Sequence, residues 1–152
     1  MNQRTTTNNF QASLRSTLRR LDEDEAVIPE NRDAILDFHR EIVAEGLRIP
    51  RQIKYLGTLR LIFSGEQKPA KEWTREDVTA FASRIAGRNY SYWTRHDYRI
   101  VIRRFFKWLR GTEEGYPPEV RCLRIGKTKR TRKRYEVLDE KPGSALVGWT
   151  YD

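Results

Sequence analysis

Sulfur and imidazole are scarce in this chain. Of 152 residues one is cysteine, Cys122, and two are histidine, His39 and His96. A lone cysteine excludes an intrachain disulfide, and with two histidines it leaves no zinc site built on cysteine pairs. No apolar run approaches the roughly 18 residues a membrane-spanning helix needs. The opening M-N-Q-R-T-T-T-N-N lacks an apolar stretch, so no secretory leader is expected. No segment alternates apolar and polar residues with period two over a useful length, so almost no strand is expected. No internal repeat, Gly-rich phosphate loop, metal cluster or nucleophile–base pair is visible. The composition thus leaves a basic protein of a reducing compartment, with no membrane, metal or cofactor implied.

Acid is also missing from one place where it matters. Between Ser91 and Arg110 the only acidic residue is Asp97. The chain as a whole carries 30 Lys and Arg against 21 Asp and Glu, a net charge of +9. Residues 1–90 hold 15 basic and 13 acidic side chains, and residues 91–152 hold 15 and 8. The excess therefore sits in the second part and points to a polyanionic partner.

What is present over 91–111 is S-Y-W-T-R-H-D-Y-R-I-V-I-R-R-F-F-K-W-L-R-G. Tyr98, Val101, Ile102, Phe105, Trp108 and Leu109 recur at helical spacing and form an apolar stripe. Arg95, Arg99, Arg103 and Lys107 recur every fourth residue, and Arg110 closes the row. Intrahelical pairing cannot account for a row with a single acid near it. A helix gripped on one side and offering guanidinium groups on the other suits phosphate recognition. The alternative is a solvated charged face.

Four further helices precede it. The first is expected from about Phe10 to Leu21, ending before the acidic run 22–25, because acids oppose the dipole at a helix C-terminus. The second starts near Pro29, carries Ile35, Phe38, Ile42 and Val43, and stops at Gly46. The third starts at Pro50, carries Ile53, Leu56, Leu59, Ile62 and Phe63, and stops at Ser64-Gly65. The fourth has Thr74 as N-cap and Asp77 completing a capping box, with Trp73 stapled onto Val78. Its inward residues are Val78, Phe81, Ala82 and Ile85. Ser91 caps the long basic helix. Together these predict an all-α, compact four- to five-helix bundle. After Gly115-Tyr116-Pro117-Pro118 the character changes. Eight of the fourteen residues from Arg121 to Arg134 are basic, too little apolar content to fold alone, so an extended cationic arm is expected. Residues 135–152 hold few core formers and are expected as a loose end. The organisation read from this is an N-terminal helix or arm over 1–24, a helical domain over 25–113, and a basic linker and tail over 114–152.

The order of these pieces resembles a known family. P-E-N-R-D-A-I-L-D-F at 29–38, E-G-L at 45–47, K-Y-L-G-T-L-R at 54–60, W-T-R-E-D-V at 73–78 and Y-W-T-R-H-D-Y-R-I-V-I-R-R-F-F-K-W-L-R-G at 92–111 resemble the N-terminal core-binding domain of tyrosine recombinases, the phage-integrase family, in its archaeal form. The resemblance covers roughly residues 25–125. It implies a SAM-like bundle forming half of a clamp around duplex DNA, in a protein associated with DNA recombination and integration. Two helices, here about 50–64 and 92–110, would approach the major groove, and a basic linker, here 119–134, would lead to a catalytic domain. Site residues implied are Arg51 and Lys54 in the first helix and Thr94, Arg95, Arg99, Arg103 and Lys107 in the second. Lys127, Lys129, Arg130, Arg132, Lys133 and Arg134 follow in the arm.

The expected partner is double-stranded DNA, with recombinase protomers or a separate catalytic chain beside it, in a nucleoid-associated cytoplasmic setting. The family's catalytic domain is not matched, so a binding module without strand-cleaving activity is expected. His96-Asp97-Tyr98-Arg99 fits the H-x-x-R pattern of that domain and Tyr135 lies downstream. However, His96 belongs to the core-binding segment, and Tyr135 sits in a basic run with nothing to align it for attack. His39 is expected to be half-exposed and structural, and Tyr92 and Trp93 to pack rather than meet DNA. The other classes left open are a SAM-like adaptor for a protein partner and a basic RNA-associated protein.

Overall fold

The computed structural model describes residues 3–125, with side chains described from Asn9 onward. Lys127 to Arg134, Tyr135 and the expected loose end 135–152 lie outside the described residues. Five helices follow one another: α1 (Gln3–Glu23), α2 (Pro29–Ala44), α3 (Ile49–Phe63), α4 (Arg75–Gly87) and α5 (Tyr92–Arg110). Single 3₁₀ turns occupy Ala70–Glu72 and Pro118–Val120, and no strand is present among the described residues.

Local chemistry sets most of the boundaries. α2 has Pro29 in its first turn and is released at Gly46, whose φ of 87° is cheap only for glycine. In α4 the Thr74 amide donates to Asp77 Oδ2 at 2.7 Å, the reciprocal bond of a capping box. In α5 the Ser91 hydroxyl accepts the Thr94 amide at 3.1 Å. The helix stops at Gly111, left-handed at φ 66°, with the Thr112 amide reaching back to the Lys107 carbonyl.

α1 departs from expectation. It begins seven residues before Phe10 and runs through Asp22 and Glu23. Both acids are exposed, where screening reduces the dipole penalty to a few tenths of a kcal/mol. Fully buried Leu21 holds that turn in register. Asp24 ends it: Oδ1 accepts the Ala26 amide, its carbonyl accepts the Val27 amide, and Oδ2 pairs with Arg60 of α3 at 2.9 Å.

The core is largely aromatic. Phe105 of α5 lies within 5.4–5.8 Å of the rings of Phe38, Phe63, Phe106 and Trp108. Trp73 extends this cluster to Phe63, Phe81 and Phe106. Two buried amides tie loops to helices. Asn31 accepts the Ala70 amide at 2.7 Å and donates to the Lys68 carbonyl. Gln52 donates to the Leu47 carbonyl at 2.8 Å and meets His39 Nε2 at 3.0 Å, giving His39 its structural role.

The basic linker expected from 119 onward starts on the body itself. Val120 and Leu123 are buried, and the Cys122 thiol lies 3.9 Å from the Thr79 hydroxyl of α4. Two isolated apolar residues after a proline pair suffice to bring this turn down onto α4.

Thr74 and Asp77 yield one measurable consequence. The Thr74 amide bond, with help from Lys68 Nζ at 2.9 Å, holds the Asp77 carboxyl below its ordinary value of 3.8. A carboxylate with a lowered folded pKa contributes stability that is complete above the unfolded value and disappears as pH falls through the folded one. Thr74→Ala should cost about 1 kcal/mol at neutral pH. For Asp77→Asn, thermal denaturation should show a lower Tm than the parent at pH 7. That gap should close as pH drops below 3.8; a gap constant down to strong acid would refute the assignment.

Candidate nucleic-acid interface

α5 is a long amphipathic rod clamped at both ends. Its buried side carries Tyr98, Val101, Ile102, Phe105 and Phe106. Tyr98 stacks on Tyr90 at 5.9 Å, and burial pushes its hydroxyl pKa up, so this tyrosine is a neutral core residue. At the C-terminal end, Arg110 donates to the carbonyls of Lys71 and Trp73 at 2.6 and 2.9 Å and lies 3.7 Å from Glu119. At the other end the Ser91 cap fixes the first turn, and the Thr94 hydroxyl sits 3.0 Å from the Ser91 hydroxyl. Thr94 thus takes part in capping.

The cationic row divides into two parts. Arg103 and Lys107 close on Tyr116, with the guanidinium carbon 4.1 Å and the ammonium 5.3 Å from the ring centroid. Such cation–π contacts hold a cation in place without neutralising it. Arg99 and Arg95, one and two turns earlier, are half-buried and meet no carboxylate among the described residues. They are the unneutralised part of the row.

The two helices implied by the resemblance do meet. Lys54 of α3 pairs with Asp97 of α5 at 3.0 Å, both largely buried, so the one acid of the basic helix is spent on bridging. Arg51 lies one turn before Lys54 on α3 and is half-buried. His96 is buried at the start of α5, ringed by Tyr92 at 5.9 Å and Trp93 at 5.4 Å. The expected packing of those aromatics is therefore against each other and the histidine.

Several basic residues are committed elsewhere: Arg104 to Glu45, Arg84 to Glu66 and Arg60 to Asp24. Tyr116, which organises the middle of the row, is not marked out by the sequence. Its only signal there is an aromatic beside a proline pair. Among the described residues no group of three or more His, Cys, Asp or Glu forms a metal site, and no helix is long and apolar enough to cross a membrane. Comparison with protein-family models, curated proteins and solved structures returns no match.

Proposed function

We propose that the chain is a duplex DNA-binding module of the kind its motifs resemble, the core-binding half of a tyrosine recombinase, associated with DNA recombination and integration and not itself assigned a strand-cleaving step. The observation that carries this reading is the row on α5. Two arginines are left unneutralised and two further cations are held by Tyr116, on a helix whose ends are both tied down. Successive members lie about 6 Å apart along the axis, at 1.5 Å rise per residue. That spacing is close to the separation of phosphates along one strand. Rigid placement lowers the side-chain entropy that phosphate contacts otherwise cost. The segment from Lys127 to Arg134 adds six cations available to phosphates. Lys54 in this reading positions α3 against α5 through Asp97. Recombinase protomers or a separate catalytic chain are the protein partners this function calls for, in a nucleoid-associated setting.

Fluorescence anisotropy of the full chain on a labelled duplex across a salt series tests the proposal. Four contacts on α5 alone predict a log–log slope steeper than about −3.5, at roughly 0.9 per phosphate. Structured RNA should compete less well than duplex DNA, because A-form grooves present a different shape. Absence of binding at low salt, or equal competition by RNA, would defeat it.

A further inference from the structure

The strongly basic protein carries an apolar groove with an acidic rim. It lies between α2 and the C-terminal end of α5 and encloses about 490 Å³. Its floor is apolar: Ala34, Pro69, Trp108 and Leu109, all half-buried. Trp108 is braced from behind by Phe38 at 5.5 Å and Phe105 at 5.8 Å, so its ring is held rigidly at the groove. Around this floor stand Glu30, Asp33 and Asp37 of α2 and Glu72 of the 3₁₀ turn, against one ammonium, Lys71. Glu30, Asp33 and Glu72 have no ion-pair partner among the described residues, and Asp37 shares only the exposed, intrahelical Arg40.

We infer that this groove is the docking surface for the chain's own cationic segment, Lys127–Arg134. Charge complementarity selects the occupant. An apolar floor with four carboxylates and one cation repels a polyanion and favours a peptide dense in arginine and lysine. K-T-K-R-T-R-K-R supplies six cations in eight residues. A braced indole suits a guanidinium stacked on its face, an arrangement arginine forms better than lysine. Reach permits docking within one molecule. The segment begins two residues after the last described residue, 125. Six extended residues span about 20 Å, and a body of this size has a radius of gyration of roughly 14 Å. Attachment to the same chain also gives the segment a millimolar effective concentration at the groove. Docking in the groove and contact with DNA would use the same six cations and therefore compete, so the docking is tested without nucleic acid.

The experiment is zero-length carbodiimide coupling of the full-length chain at low salt, followed by tryptic mass spectrometry of the monomer band. Expected are amide links from Lys127, Lys129 or Lys133 to Glu30, Asp33, Asp37 or Glu72, lost in high salt. In the E30Q/D33N variant, whose changes are on exposed side chains, links to the two remaining carboxylates should fall at least threefold, because half of the attracting charge is gone. Three results would overturn the proposal. One is links spread evenly to acids that do not line the groove, such as Asp22 and Glu23 at the end of α1. Another is links confined to a dimer band, which would assign the groove to a second copy. The third is yields to Asp37 and Glu72 that the variant leaves unchanged.

Discussion

Replacing Arg95 and Arg99 together by alanine should weaken duplex affinity by about ten- to a hundredfold and flatten the salt slope by about 2, at roughly 0.9 per phosphate lost. The parent and variant should unfold within about 0.5 kcal/mol of each other, as is usual for surface changes. Neither side chain takes part in an ion pair or ring contact among the described residues, so removal leaves nothing behind unsatisfied. The comparison that gives the result its meaning is Arg104→Ala. Arg104 sits on the same helix but is bound to Glu45 and stacked 5.6 Å from the centre of the Tyr55 ring. Its loss should scarcely change the slope. Equal effects from both variants would mean that overall charge, and not the unneutralised pair, drives association. An unchanged slope in the double variant would remove α5 from the interface.

Phe105→Ala should be the most destabilising single change in the body. The ring is fully buried and touches four other aromatic rings contributed by α2, α3 and α5. Truncating such a phenylalanine costs about 3–5 kcal/mol, combining lost transfer energy with the cavity left behind. Domains of this size have about 5–15 kcal/mol in total. A fall in Tm on the order of 10–20 °C is therefore expected by circular dichroism. Phe105→Leu, which keeps most of the volume, should recover most of the loss. A small effect of the alanine variant would show that α5 is held mainly by its end clamps.

Arg95 and Phe105 also mark what can and cannot be read from the amino-acid order. The helix starts and stops are legible because each depends on a residue within three or four positions: Ser91 with Thr94, Thr74 with Asp77, Gly111 after Arg110. The apolar stripe containing Phe105 is legible for the same reason, since periodicity is local. The fate of individual cations is not. Lys54 finds Asp97, Arg104 finds Glu45 and Arg110 finds the carbonyls of Lys71 and Trp73, all across sequence gaps of 37 to 59 residues. Spacing along one helix identifies a row of charges but cannot reveal which members another element will neutralise. The C-terminal end of α1 is placed two residues short from sequence because the dipole penalty of its acids is weighed without the buried Leu21 that outweighs it. Val120 and Leu123 give no periodic signal, so their descent onto α4 is invisible until the bundle exists to receive them.

Gly111 reverses the chain, and that reversal decides where the C-terminal segment is launched. Had α5 run on, residues 112–125 would have projected some 20 Å past the bundle. Instead the polypeptide doubles back, wedges Tyr116 beneath two cations and is moored along α4 by Val120 and Leu123. The last described residues are therefore held on the flank of the molecule beside α4. Shortening or lengthening the 112–116 return by even one residue would relocate that anchorage while leaving every helix intact.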